Sequence, residues 1–214
     1  MITTVICDLD GLLADTERLH LEAYREILGR HGFDLTDEEY AAWWIRDGSG
    51  IGDYVVSKQL SLDPAEIRME KTAFYDELVS SVAGPMPGAH ALLNRLSPHK
   101  HFALATSSYE QSARLALKRL RITHYFEVIA TRESARRVKP DPGVFLFAAS
   151  ELNLPPSECL VLEDSQKGVL AAASAGMKCI AIPNQYTKDN DFSRATVVVS
   201  SLDEVTLELI DSLG

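Results

Sequence analysis

The sequence predicts an α/β fold: a doubly wound, mostly parallel sheet with an all-helical segment inserted after its first strand. Three observations carry that expectation. Short apolar or β-branched runs alternate with longer helical patterns, as βαβ units require. The alternation fails once, across about 95 residues between Cys7 and Phe102, far more than one crossover helix needs. Three polar clusters directly follow apolar runs: Asp8-Leu9-Asp10-Gly11, Thr106-Ser107-Ser108 and Glu163-Asp164-Ser165; a fourth, Lys139-Pro140, lies between the last two. If the runs are neighbouring parallel strands, the clusters gather at the carboxyl edge of the sheet, where open α/β folds bind ligands.

In chain order, strands are expected at Val5–Cys7, Phe102–Ala105, Val128–Ala130, Leu160–Leu162, Cys179–Ile182 and Thr196–Val199. Before the second of these, Glu17–His31, Thr36–Ile45, Asp53–Leu60 and Pro64–Val82 carry helical patterns. Thr36 with Glu39 three residues later forms a capping box, and Asp63-Pro64 pairs an N-cap with proline at the first helical position. Gly84-Pro85-Met86-Pro87-Gly88 then punctuates the return. Later helices are expected at Tyr109–Leu120, Gly143–Leu152, Lys167–Ala175 and Leu202–Leu213. Residues 1–15 and 83–214 are thus expected to form a Rossmann-like core domain, and residues 16–82 a helical cap domain.

Composition narrows the partners. The 214 residues are 46% hydrophobic, enough for a real core. A net charge of -10 disfavours nucleic acid and anionic membranes, both of which reward clustered Lys and Arg. A small anionic substrate stays open, because the field of a bound metal can outweigh global charge. Cys7, Cys159 and Cys179 lie in or beside apolar runs and read as reduced, buried strand residues. With no signal-peptide pattern and no long apolar run, a cytoplasmic and monomeric protein is expected.

The polar clusters suit phosphoryl transfer. Asp8 and Asp10 close a strand, and a turn at Gly11 swings the second carboxylate over the site, so one can attack while the other handles a proton. A calcium loop is excluded, because the Asp-x-Asp-x-Asp-Gly continuation is missing. Adjacent Glu163 and Asp164 repel each other, which a cation shared with Asp8 would relieve, although Asp164 or Ser165 equally suits a helix N-cap. Oxygen ligands of this kind suit Mg²⁺. Thr106 and Ser107 stand before a helix, where hydroxyls and N–H groups hold anions or simply cap it. Lys139-Pro140 alone reads as a surface turn.

Together, in this order, the clusters resemble the haloacid dehalogenase superfamily of aspartate-nucleophile phosphotransferases. The stretches Leu162-Glu163-Asp164-Ser165-Gln166-Lys167-Gly168 and Asp15-Thr16-Glu17-Arg18-Leu19-His20 are similar to the helical-cap branch that contains beta-phosphoglucomutase and small-metabolite phosphatases. The resemblance implies that Asp8 is the nucleophile and Asp10 the acid–base. It implies that Thr106, Ser107 and Lys139 bind the phosphoryl group, and that Asp8, the Asp10 carbonyl, Glu163 and Asp164 hold Mg²⁺. Asp10 argues against halide chemistry, since the dehalogenases lack a second aspartate.

Substrate choice in that branch lies in the cap. His20 stands where phosphatases and mutases alike carry a histidine, and the stretch from Arg46 to Gly52 is the loop expected to face the site. Arg46 is either an anion partner or a surface residue. Lys71, with Tyr75 four residues on, resembles the lysine that grips a mutase's second phosphate; its alternative is an exposed helix lysine. Trp43-Trp44 is expected to pack the cap. A cap arginine like the mutase's has no counterpart here. The expected activity is therefore Mg²⁺-dependent hydrolysis of a small phosphorylated metabolite. A sugar-phosphate mutase is the alternative, and the intact clusters argue against a non-catalytic binding module.

Overall fold

A computed structural model describes residues 1–46 and 49–214. Strand β1 (Thr4–Cys7) leads into four helices, α1 (Glu17–Arg30), α2 (Asp37–Tyr40), α3 (Ile51–Ser57) and α4 (Pro64–Val82). The chain continues as α5 (Ala89–Leu96), β2 (His101–Ala105), α6 (Glu110–Leu120), β3 (Val128–Ala130) and α7 (Gly143–Glu151). It closes with β4 (Cys159–Glu163), α8 (Gln166–Ser174), β5 (Lys178–Ala181), β6 (Val197–Val198) and α9 (Leu207–Ser212). The six strands form one all-parallel sheet in the order β3-β2-β1-β4-β5-β6. The order reverses direction on either side of β1, so the loops after β1, β2 and β4 open a crevice at the carboxyl edge.

Period-two alternation puts the two faces of the sheet in two cores. Val5, Cys7, Phe102, Leu104, Leu160 and Leu162 join the cluster built with α5, α6 and α9. Ile6, Ala103, Ala105, Cys159, Val161 and Cys179 join the opposite cluster, with Phe145 and Ala148 of α7 and Val169 and Ala172 of α8. The small residues on this second face let α7 and α8 approach the strands closely. All three cysteines are free and buried.

Helices α1 to α4 add no strand to the sheet among the described residues, and they hold a separate apolar cluster around Ile27, Leu28, Ile51 and Ile67. Thr36 and Glu39 form the capping box, and Asp63 caps α4 with Pro64 at its first position. After α2 the chain widens into a π-helical turn over Ala41–Arg46, a form common near functional sites. The insert's entry and exit run side by side: Asp15 N–H donates to Gly84 O at 2.9 Å and Met86 N–H to Leu13 O at 2.9 Å. Buried Asp76 of α4 accepts from Ser112 Oγ at 2.6 Å and Gln111 Nε2 at 2.9 Å, which docks the insert on α6.

Two expectations need correction. Leu202–Leu213 is not one helix: a 3₁₀ turn at Leu202–Glu204 precedes α9, whose N-cap is Thr206. Helix α5 was not anticipated, although Ala89, Leu92, Leu93 and Leu96 carry the i, i+3, i+4, i+7 spacing of a buried helix face. Among the described residues, no helix is long and apolar enough to cross a membrane.

Candidate active site

Strand register brings the polar clusters level. Cys7 stands opposite both Leu104 and Leu162, so the next residues along, Asp8, Ala105 and Glu163, form a row at the carboxyl edge. Asp8, Thr106, Glu163 and Asp164 are all buried there. Lys139, which follows β3, reaches into the row. Its Nζ donates to Asp8 Oδ1 at 2.5 Å, to Glu163 Oε1 at 2.6 Å and to the Ala105 carbonyl at 2.8 Å. A buried ammonium thus holds the acidic group together, and Lys139 is no surface turn.

One cation does not balance the carboxylates around it. Burial, then the repulsion of Glu163 and Asp10, raises the Asp8 carboxyl to about 8 even against the pull of Lys139. Burial and the charges of Glu163 and Asp8 likewise push Asp164 well above the usual carboxylate range. Oxygens of Asp8, Glu163 and Asp164 lie within 4.8 Å of one another. Clustered, charge-frustrated hard oxygens of this kind fit a divalent cation.

Glu163 and Asp164 are aimed by their surroundings. Glu163 Oε2 accepts from the N–H groups of Asp164 and Ser165 at 3.1 and 3.2 Å and from Ser165 Oγ at 2.9 Å. Ser165, rather than Asp164, is the N-cap of α8, its hydroxyl accepting from Gly168 N–H at 3.2 Å. Asn184, just past β5, donates to Asp164 Oδ2 at 2.8 Å and to Gly11 O at 3.0 Å. Sequence reasoning did not single out Asn184; its place beyond a strand's carboxyl end was the signal available. Gly11 has φ of +80°, and a Cβ there would lie 2.5 Å from Asp164 Oδ2.

A Cβ on Gly168 would fall 1.8 Å from the Glu163 carboxyl carbon. Gly168→Ala is therefore expected to displace that carboxylate and to cost about 1–3 kcal/mol through overpacking. The measurement is Tm together with metal affinity by calorimetry, and an unchanged pair of values would refute the contact.

Asp10 sits where core and insert meet. Its Oδ1 accepts from Thr16 Oγ1 at 2.6 Å and Tyr75 OH at 2.9 Å; its Oδ2 accepts from Ser108 Oγ at 2.6 Å and Thr106 Oγ1 at 3.2 Å. His20 Nε2 stands 3.7 Å away. Burial favours the neutral acid, but His20, Ser108 and Thr16 outweigh it and hold Asp10 well below the usual carboxylate range. Ser107 lies beside this group and accepts from the Lys139 N–H at 3.3 Å.

Above this floor opens a cavity of 460 Å³, roofed by the insert. Lys71 is buried rather than exposed: Nζ lies 2.5 Å from His20 Nδ1 and over the Tyr75 and Tyr24 rings at 4.4 and 4.9 Å. Desolvation lowers its ammonium to about 8. His20 stacks on Tyr75 at 4.0 Å. Trp44 both packs against Tyr24, Tyr40 and Tyr54 and lines the cavity, and its backbone O accepts from Lys167 Nζ at 2.9 Å. Ile45, Gly50 and Ile51 also reach the cavity, whereas Arg46 is exposed and is not among the lining residues. Asp47 and Gly48 of the expected substrate loop lie outside the described residues.

The chain as a whole is similar to known proteins. The model of the haloacid dehalogenase-like hydrolases matches residues 5–182. The chain is 34% identical to the phosphorylated carbohydrates phosphatase of Thermotoga maritima, over 82% of each chain. It is 30% identical to the protein CbbY of Rhodobacter capsulatus, over 99% of each. The structure superposes, with a TM-score of 0.86 and 27% identity, on a CbbY mutant from Rhodobacter sphaeroides in complex with xylulose-(1,5)bisphosphate, covering 97% of this chain and 98% of that one. The chain belongs to the haloacid dehalogenase-like hydrolase family and is an enzyme of its phosphoric monoester hydrolase class.

Proposed function

We propose that the protein is a Mg²⁺-dependent phosphatase that hydrolyses a small phosphorylated metabolite through an aspartyl phosphate on Asp8. The observation that carries this reading is the convergence of Asp8, Lys139, Glu163 and Asp164 on the floor of one cavity. An Asp8 oxygen attacks phosphorus, the bond to the ester oxygen breaks, and Asp10 supplies the proton that the leaving alcohol needs. Water then attacks the acyl phosphate, Asp10 takes its proton, and Asp8 is released. In the present arrangement Asp10 is held ionised, the form that takes water's proton; it must first bind a proton before it can protonate the leaving alcohol. Lys139 and the Thr106 and Ser107 hydroxyls hold the phosphoryl oxygens. Asp8, the Asp10 carbonyl, Glu163 and Asp164 would hold Mg²⁺, which when bound supplies positive charge against the phosphoryl oxygens and the crowded carboxylates.

Residues 16–82 act as the cap over this floor, hinged where the two connecting segments run side by side. The phosphatase relatives favour water as acceptor. Lys71 adds support, since His20 and two tyrosine rings already engage its ammonium beside Asp10.

The test is phosphate release from a panel of sugar phosphates with Mg²⁺ and with excess chelator, alongside isomerisation of hexose 1-phosphates. Metal-dependent release is expected; full activity in chelator, or isomerisation without release, would overturn the reading. Metal should also act on stability. A carboxyl whose pKa rises on folding, from about 4 to about 8 for Asp8, binds its proton more tightly when folded. Metal-free protein should therefore lose stability as pH climbs through that window, and the Tm gain from Mg²⁺ should grow over the same range. A gain independent of pH would count against cation binding at these carboxylates.

A further inference from the structure

Lys167 ties the core to the insert at a different place from the segments that connect them. It stands in the first turn of α8, and its half-buried side chain crosses the cleft so that Nζ donates to the Trp44 carbonyl at 2.9 Å. Among the described residues, the other side-chain hydrogen bonds between core and insert end in two places. Some end on Thr16 and Arg18, where the insert begins. The rest end on the second half of α4, from Tyr75 to Ser81, which leads back into the core. Lys167 alone among them holds the stretch between α2 and α3.

The carbonyl it takes suits the task. Trp44 lies near the end of the π-helical stretch Ala41–Arg46, and terminal carbonyls have no partner within their own helix. An ammonium set on such an oxygen makes a charge-assisted bond. Lys167 forms no ion pair among the described residues, so this bond is not a by-product of balancing a carboxylate. Trp44, Ile45, Gly50 and Ile51 all line the cavity, so the bond fastens one of its walls. The Trp44 ring packs in turn on Tyr24, Tyr54 and Tyr40, with centroids 4.6, 5.1 and 5.5 Å away. Holding the Trp44 backbone therefore holds the aromatic group of the insert.

Resting on the reading of residues 16–82 as the cap of a phosphatase, we infer that Lys167 is a positioning residue: its bond to the Trp44 carbonyl latches the rim of the cap away from the hinge and sets the wall that faces the leaving group. Bonds beside a hinge move little when it opens. The latch, at the other rim, breaks to admit an ester and re-forms over it. Without the latch the ester itself has to supply the free energy that shuts the cap.

The chain's two tryptophans, Trp43 and Trp44, both stand at this contact, so their emission reports on it. With Mg²⁺ present and no ester, acrylamide should quench Lys167→Met about twofold or more efficiently than the parent, because the freed rim spends more time open. Turnover of the best ester should show KM raised about fivefold or more with kcat within about twofold, since closure is linked to affinity and the closed complex keeps its chemistry. Lys167→Arg keeps a donor of similar reach and should restore most of both values. Methionine matches lysine in length and the position is half-buried, so folding should survive, which circular dichroism checks; Lys167→Gln is the second variant if it does not. Unchanged quenching would overturn the inference, and a raised KM beside it would mark a direct substrate contact instead. More quenching at an unchanged KM, a loss confined to kcat, or no rescue by arginine would overturn it as well. Failure of the phosphatase reading would show separately, as no phosphate release from any ester by the unmodified enzyme, and would leave the quenching comparison intact.

Discussion

Asp8→Asn is expected to lower phosphate release by about 10⁴-fold or more, the scale on which covalent nucleophiles are lost. An amide does not form an acyl phosphate, and the nearby carboxylates among the described residues are engaged elsewhere, Asp164 by Asn184. Asp10 is pinned by Thr16, Tyr75, Ser108 and Thr106, while Glu163 is engaged by Lys139 and by the donors that open α8. The loss should be chemical rather than structural. An amide oxygen can still accept from Lys139 Nζ, and replacing a buried, repelled carboxylate by a neutral group of the same shape removes strain. In metal-free protein near pH 8, where the Asp8 charge is most costly, the variant should melt no lower than the parent. Quenched-flow detection of acid-precipitable ³²P should find label on the parent and none on the variant. Near-parental turnover by Asp8→Asn would end the nucleophile assignment.

Much of the framework was legible because its signals are local. Strands of three or four apolar or β-branched residues between polar punctuation gave the sheet, and the expected ranges for β1, β2, β4 and β5 fall within a residue of those observed. The convergence of Asp8, Thr106 and Glu163 followed from one topological rule, that residues at the carboxyl ends of parallel strands share an edge, whereas Lys139, well beyond the end of β3, was given its place only by the family resemblance. What stayed hidden depends on pairing across long separations. Asn184 meets Asp164 and Gly11 only because β5 lies beside β4, and its place just past a strand was the one local sign of it. Burial of Lys71 was hidden for a related reason: α4 is long and polar along much of its length, and the face it turns to Tyr24, His20 and Tyr75 is set by how α1 and α4 pack. The break between Leu202 and α9 reflects a tertiary override of a weakly amphipathic tail, in which Arg95 donates to the carbonyls of Leu202 and Val205.

Lys139→Ala is expected to damage folding and catalysis together, unlike Asp8→Asn. Lys139 Nζ has three acceptors, all buried, and its side chain is 5% exposed. Deleting it leaves Asp8 and Glu163 facing each other in a dry environment and orphans the Ala105 carbonyl. Removing one partner of a buried ion pair costs about 3–5 kcal/mol, which for a chain of this size is a fall in Tm of about 10 °C. Protonating Asp8 relieves part of that cost, so the destabilisation should be smaller at pH 5 than at pH 8, and Mg²⁺ should recover more of it than it adds to the parent. Activity should fall by about 10³-fold even where the variant is fully folded, because the phosphoryl oxygens lose a fixed positive donor. Lys139→Arg should not rescue either property. A guanidinium is wider than an ammonium, and this site is shaped by three acceptors converging on one nitrogen beneath the Phe145 ring, 4.6 Å away. Differential scanning fluorimetry across pH, read beside phosphate release, separates the two losses. A Lys139→Ala enzyme with parental Tm at pH 8 would show that the carboxylates do not depend on this ammonium.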